Sequence, residues 1–421
     1  MDLDAAPVDP IAIAVEVGTN AARAAIIGPA AQLLDVTEVP LESHSPSPGR
    51  VEQDPERWWA ATIACLQELV SRNHTTRVDA LAVGAQLHAI VPIDQDGRCL
   101  VRRVGLWNDE RSAPLAAGLA AGPDAERLSQ LAGNRPDPIR SGIKLAWYRA
   151  ESPTVYDAAW QFLATKDFLN YRLTGVAATD PTEASGSFCM DAESGKWSDE
   201  LFAALGISGS KVPPIIGSTE ICGRLRPEVA GATGLPVGLP VVGGAGDILC
   251  QLAAAGLHHT ERAVEIGQRD LTLVGTYSDI PHPSPTVLNY RAAGSGWVHL
   301  RWVPTPAGQE RECFEVRRML DELGPTRLRT LRVVGANAAD PSWNQLRAAV
   351  HGLPVVTLRA TEGRLIGAGI LALVGAGAYV SVGAAADAVV TEASRVFPDP
   401  DRADAYDEAY EQFLRTTSSL S

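Results

Sequence analysis

The chain has 421 residues, with 36 Lys and Arg against 50 Asp and Glu, and the resulting formal charge of −14 argues against a nucleic-acid partner. With 46% hydrophobic and 20% charged residues, 38 Gly and 29 Pro, it is ordinary globular material long enough for two domains. Its six cysteines (Cys65, Cys99, Cys189, Cys222, Cys250, Cys313) show no metal or redox spacing, so free thiols in a reducing cytoplasm are expected.

Residues 1–10 read as disordered, and the acidic start Met1-Asp2-Leu3-Asp4 lacks the basic head of a signal peptide. Ile11–Ile27 reads as a β-hairpin turning at Gly18-Thr19-Asn20. Asp54-Pro55-Glu56 opens a helix with a cap, a first-turn Pro and an early acid, and Trp59, Ile63, Leu66 and Val70 fall on one of its faces. Strands are predicted at Ala80–Val83, Ile90–Ile93 and Val104–Trp107, and helices at Lys144–Arg149 and Thr165–Leu173, the latter stopping at Gly175. Pro181–Trp197 reads as loop. The strand Leu239–Val242 runs into Gly243-Gly244-Ala245-Gly246-Asp247 and a helix over 248–255. A second hairpin begins near Arg262, residues 271–330 read as irregular, and Leu331–Val334 is a strand. Leu365–Ala386 carries no charge and reaches the length of a membrane span, but its many Gly and Ala predict a tightly packed core helix instead. Strands and helices mix in both halves, which is α/β.

Two stretches nearly repeat: Ala14-Val15-Glu16-Val17-Gly18-Thr19-Asn20 and Ala263-Val264-Glu265-Ile266-Gly267-Gln268-Arg269. Each reads as a hairpin whose tight turn points backbone N–H groups into one concavity, suited to a phosphate. From the repeat alone, chance similarity between apolar strands stands as an equal reading. Asp247 sits where a buried strand meets a Gly-rich turn, the place where open α/β sheets bind ligands. There it either takes a proton from a substrate hydroxyl or caps the helix that follows. Gln86-Leu87-His88 and Trp107-Asn108-Asp109 follow two further strands, bringing amide, imidazole, carboxylate and indole groups suited to a polyhydroxylated ligand. Gly335-Ala336-Asn337-Ala338 offers small residues against which an adenine ring could lie.

In combination these segments resemble the FGGY carbohydrate kinases, and among them bacterial xylulokinases. The run Gly49-Arg50-Val51-Glu52-Gln53-Asp54-Pro55-Glu56-Arg57-Trp58-Trp59 is similar to the family's early Glu-Gln-Asp-Pro…Trp-Trp motif. Gly84-Ala85-Gln86-Leu87-His88 and Leu106-Trp107-Asn108-Asp109 resemble its sugar contacts, and Lys144-Leu145-Ala146-Trp147 its first signature. Lys166-Asp167-Phe168-Leu169 and Thr179-Asp180-Pro181 follow in the family's order, and Gly244-Ala245-Gly246-Asp247 matches the catalytic segment. The resemblance implies a duplicated, two-domain actin-like (ribonuclease H-like) α/β fold. It places a sugar-binding domain at 11–257 and a shortened nucleotide-binding domain at 258–421. It further implies ATP and Mg²⁺, with Asp247 as general base and Gln86, Leu87, His88, Trp107, Asn108 and Asp109 on the sugar. Glu16, Gly18, Thr19, Asn20 and Arg23 would meet the phosphates on one side, and Gly267, Gly335 and Asn337 would meet the nucleotide on the other. Glu16 and Asp247 would place the metal. The expected reaction is phosphorylation of D-xylulose, with ribulose, gluconate or glycerol as other acceptors, or a non-catalytic binding role. Homodimers are common in the family, and no nucleic-acid or membrane partner is expected.

The chain also departs from the family pattern. Glu16 stands where the family carries Asp, and Gly267-Gln268-Arg269-Asp270 where it carries Gly-Thr-Ser-Gly. Several dozen residues of the pattern are missing between about Arg318 and Leu331.

Overall fold

The structure, a computed structural model, describes residues 10–73, 77–267, 271–284, 286–303, 308–324 and 327–418. The expected disordered start lies outside the described residues apart from Pro10, as do Gln268, Arg269 and Asp270. The chain forms two compact units. The first comprises Met1–Ala254 with Tyr290–Gly294 and Glu362–Val389, and the second Ala255–Asn289, Ser295–Thr361 and Val390–Ser421. The division expected at residue 257 falls close to Ala254, but two later segments return to the first unit, which a linear reading of the chain assigns to the second.

The sheet of the first unit contains β1 (Ala12–Val17), β2 (Ala21–Ile27), β3 (Leu33–Pro40), β4 (Ala80–Ala85), β5 (Ile221–Arg224), β6 (Pro240–Val242) and β7 (Ala245–Gly246). Its order is β3-β2-β1-β4-β6-β5, with β7 added to β4. β1 pairs antiparallel with β2 and parallel with β4. The sheet of the second unit contains β8 (Arg262–Gly267), β9 (Thr272–Ser278), β10 (Trp297–Val303), β11 (Thr330–Gly335), β12 (Val355–Leu358) and β13 (Glu392–Val396). These six of its seven strands run β10-β9-β8-β11-β12-β13 with the strand senses of the first sheet; the chain order agrees over the first four strands and is exchanged in the last two, β6-β5 against β12-β13. The sequence repeat therefore marks a repeated four-strand arrangement, with Glu16 and Glu265 at equivalent places in β1 and β8.

Alternation along β1 decides what covers each face of the first sheet. Ile13, Val15 and Val17 join Trp58, Cys65, Leu66 and Leu69 in one core under the helix Pro55–Asn73. The face predicted for that helix is rotated, because Trp58, Ala61, Cys65 and Leu69 are buried while Trp59, Ile63 and Val70 lie at its margin. Ala12, Ala14 and Glu16 point the other way, and the small size of the two alanines admits the Gly- and Ala-rich helix Gly363–Gly375. That helix also crosses Asp247–Ala254 at very short range. A Cβ added to Gly367 would lie 1.9 Å from the Cys250 carbonyl oxygen.

Two expectations are corrected here. The uncharged run is not one helix: Gly363–Gly375 ends, Gly377 turns with φ +81°, and Val382–Val389 follows as a second helix. No helix among the described residues is long and apolar enough to cross a membrane. Much of 271–330 is ordered, with β9, β10 and the helix Gln309–Leu323 enclosing a core of Val274, Val303, Val316, Met319 and Leu320. Pro281 and Pro283 lie between strands, whereas Arg301 lies within β10 and Arg311, Arg317 and Arg318 within the helix.

The second unit has a pH-sensitive point at His351, the last residue of the helix Pro341–His351. Neither ring nitrogen has a hydrogen-bond partner among the described residues. Burial, with Arg317 and Arg347 nearby, pushes its pKa down to about 3. The unfolded chain therefore takes up a proton below about pH 6.5 that the folded chain refuses, and stability falls as the pH drops through that window. His351→Leu removes this dependence. Between pH 6.5 and 5 the variant is expected to gain about 2 kcal/mol on the wild type, read from urea midpoints at each pH. Parallel pH profiles for the two proteins would contradict the assignment.

Candidate active site

The predicted residues of the first unit gather at the carboxyl ends of three parallel strands. Val17 of β1 and Gly246 of β7 both pair with Ala85 of β4. Beyond these strand ends lie Gly18-Thr19-Asn20, Gln86-Leu87-His88 and Asp247. β7 is offset from β6 at Gly243-Gly244, where Gly244 has φ +75° and a Cβ would meet the Val83 carbonyl at 2.1 Å. Only glycine allows that step.

Asp247 is the first residue of the helix Asp247–Ala254. Its Oδ1 accepts the Ile248 N–H at 2.8 Å, and its Oδ2 lies 3.3 Å from an Arg364 nitrogen, with the side chain 14% exposed. The turn before it is held from behind. Thr182 Oγ1 accepts the Gly246 N–H at 2.9 Å, and Asn170 Nδ2 donates to the carbonyls of Val242 and Gly243. Asp180 caps the short helix Pro181–Gly186, which the sequence reading placed in a loop, and also accepts from Ser218 at 2.7 Å. Lys166, fully buried, pairs with both Asp167 and Asp180.

Glu16 and Arg23 are directly opposed across β1 and β2 and so share one face of the sheet. Arg23 Nε donates to Glu16 Oε2 at 2.7 Å, and the same guanidinium reaches Glu362. Arg364 contacts Glu16 Oε1 at 3.4 Å. Burial raises the Glu16 pKa, opposed by Arg23 and Arg364 and reinforced by Asp247. Both Glu16 oxygens face guanidinium nitrogens, and Asp247 is divided between a backbone N–H and Arg364. As arranged, these two carboxylates do not fit a Mg²⁺ ion, which needs free oxygens at close range. Arg23, expected on a phosphate, is engaged by Glu16 and Glu362.

The expected sugar loops are tied to the β1–β2 turn. Thr19 Oγ1 accepts the Trp107 indole N–H at 3.3 Å and donates to Gln86 Oε1 at 3.3 Å. Gln53 joins them: its Nε2 donates to the Thr19 carbonyl at 2.6 Å, and its Oε1 accepts from Gln86 and Trp58. Asn108 and Asn20 are exposed, whereas Gln86, Leu87 and His88 are buried. Asp109, expected on the sugar, anchors its own turn, its oxygens accepting from Val51 N–H, Arg111 N–H and the Arg111 guanidinium.

His88 has φ +71°, a left-handed backbone that costs a β-carbon residue energy and is concentrated at functional sites. Its Nε2 shares a 2.9 Å hydrogen bond with the Tyr290 hydroxyl. Burial, then Arg140 and Lys144, hold its pKa well below the ordinary range, so the ring is neutral. Lys144 donates to the carbonyls of His88 and Leu106, joining the two loops.

In the second unit, Gly267 and Gly335 end the adjacent parallel strands β8 and β11. Gly335 has φ +95°, Ala336 N–H donates to the Gly267 carbonyl, and Asn337 lies against Gly267. Arg347 bonds buried Glu265 at 2.8 Å, repeating the Glu–Arg pairing of the first unit. The glycine cradle suits close approach of a phosphate or a flat base.

Gln53, Tyr290, Glu362 and Arg364 were not foreseen as site residues. Arg364 carried the clearest signal: a cation in the first turn of a helix, where the dipole disfavours it.

Residues 11–256 match the FGGY family of carbohydrate kinases, N-terminal domain. The chain belongs to this family. It is 30% identical to xylulose kinase of Klebsiella pneumoniae over 289 residues, covering 68% of this chain and 59% of that protein. It is 31% identical to xylulose kinase of Escherichia coli (strain K12) over 252 residues, 60% of this chain and 51% of that one. The FGGY chain thus spans between half and three-fifths of the length of these curated relatives. Gluconate kinase from Lactobacillus acidophilus superposes with a TM-score of 0.90 at 16% identity, covering 98% of each chain. Xylulose kinase from Rhodospirillum rubrum superposes with a TM-score of 0.89 at 23% identity, covering 97% of this chain and 99% of that one. These likenesses establish the two-domain, actin-like α/β fold.

Proposed function

We propose that this FGGY protein transfers the γ-phosphoryl group of ATP to a sugar hydroxyl, with D-xylulose as acceptor and D-xylulose 5-phosphate as product. The observation that carries this reading is Asp247: a partly exposed carboxylate at the carboxyl end of β7, beside the turn that carries Gln86, Leu87 and His88. Asp247 accepts the hydroxyl proton as the sugar oxygen bonds to the γ-phosphorus, and the bond to the ADP oxygen breaks. Gln86, Leu87, His88, Trp107 and Asn108 orient the sugar, with Asp109 and Lys144 holding their turns. Thr19 and Asn20 offer backbone N–H groups to phosphate beside Gly18, whose own N–H closes the turn onto the Ala21 carbonyl, and Gly267, Gly335 and Asn337 receive the nucleotide. The name xylulose kinase carried by the two curated relatives, together with the Gln86-Leu87-His88 loop, supports D-xylulose over other acceptors.

A second reading, a sugar- or nucleotide-binding protein without turnover, is favoured by one observation: the Arg364 guanidinium on Asp247 competes with its use as a base. A coupled ADP-release assay over D-xylulose, D-ribulose, gluconate and glycerol separates the readings. ADP release with the highest kcat/KM on D-xylulose is expected. A higher value on another acceptor would reassign the substrate, and sugar binding without ADP release from any of them would establish the second reading.

A further inference from the structure

Arg364 stands where a metal was expected. One of its nitrogens lies 3.4 Å from Glu16 Oε1 and 3.3 Å from Asp247 Oδ2. The other Glu16 oxygen is held by Arg23 at 2.7 Å, and Arg23 is itself paired with Glu362. Three carboxylates are thus matched by two guanidinium groups, which leaves a net charge near −1 for a dication to meet. The arrangement is built into the fold. Alternation along β1 turns Glu16 towards the helix Gly363–Gly375, and the tight crossing at Gly367 sets the start of that helix beside the start of Asp247–Ala254. A cation in the first turn of a helix is unfavourable unless anions face it, and here Glu16 and Asp247 do so.

We propose that Arg364 is a resident counter-cation: it fills the place between Glu16 and Asp247, so this site takes its positive charge from the chain and does not take up a divalent metal ion. Mg²⁺ and Mn²⁺ demand carboxylate oxygens at about 2.0–2.2 Å in octahedral array, and a guanidinium among those oxygens prevents that approach. The inference is about metal uptake by the protein alone, and it holds under either reading of the function.

The test is Mn²⁺ binding, read from the loss of the free-ion electron paramagnetic resonance signal, in full-length protein without nucleotide or sugar. Wild type and Glu16→Gln are expected to take up Mn²⁺ equally. Arg364→Ala is expected to gain a site at least about tenfold tighter than any in the wild type, because a positive charge within contact distance of the ligands has gone. That gain disappears in the double variant Arg364→Ala/Glu16→Gln. Circular dichroism checks the fold of each variant, and Arg364→Met, which keeps the apolar stem, replaces Arg364→Ala if the latter is unfolded. Mn²⁺ uptake by the wild type that Glu16→Gln abolishes would overturn the proposal. So would a folded Arg364 variant that binds no more Mn²⁺ than its Glu16→Gln double. Because no turnover is measured, failure here leaves the kinase reading standing, and absence of ADP release leaves this result unaffected.

Discussion

Asp247→Asn is expected to lower turnover by about 10² to 10⁴-fold, the usual contribution of a positioned general base, while the sugar dissociation constant stays unchanged. The substitution is nearly isosteric. The amide oxygen can keep the Ile248 N–H bond that seats the side chain, so the helix start and the strand step at Gly244 are preserved. What is lost is the ability to accept a proton, together with the charge opposite Arg364. A rate loss with sugar binding intact, measured by ADP release and by calorimetric titration of D-xylulose, places Asp247 at the reacting hydroxyl. A variant that retains the wild-type rate would remove Asp247 from the chemistry and with it the proposed mechanism.

The second large effect is structural. In an exposed helix, Gly→Ala stabilises by about 1 kcal/mol. Gly367→Ala is expected to do the reverse and destabilise by about 1–3 kcal/mol, because the new methyl would sit 1.9 Å from the Cys250 carbonyl oxygen and the helices must separate. The sign is the test, since propensity and packing pull in opposite directions. A lowered urea midpoint, followed by circular dichroism, supports the close crossing. An unchanged or raised midpoint would show that the two helices have room to spare. The Ala variant should also disturb the site, because the separating helices carry Asp247 and Arg364 at their starts.

Local signals made much of this molecule readable. The repeat at Ala14–Asn20 and Ala263–Arg269 announced two similar strand starts, because hairpins are written in contiguous alternation and turn residues. Asp247, Gln86 and His88 were legible because each follows a buried strand, and the parallel register then brings those strand ends together. The same logic failed wherever the partner is remote in sequence. Tyr290 reaches His88 from 202 residues away, and Arg364 reaches Glu16 from 348. No local pattern records such pairings. Asp109 shows a related limit: nothing local to a carboxylate after a strand records that Arg111 and the Val51 N–H hold its oxygens. The helix Pro55–Asn73 shows a subtler limit, since several of its faces are apolar enough to choose from and only the packing of Trp58 and Cys65 selects one. Arg364 breaks a local electrostatic rule, and such violations in an otherwise consistent chain mark positions held for another purpose.

The contact between Gly367 and Cys250 also limits how the site can rearrange. With backbone against backbone, the helix that bears Arg364 cannot slide along its neighbour to withdraw the guanidinium. The side chain, 28% exposed, can leave only by rotating its own bonds into solvent. That rotation must break its contacts with both Glu16 and Asp247, so an incoming ligand displaces the guanidinium against two carboxylates while the helix backbone stays in place.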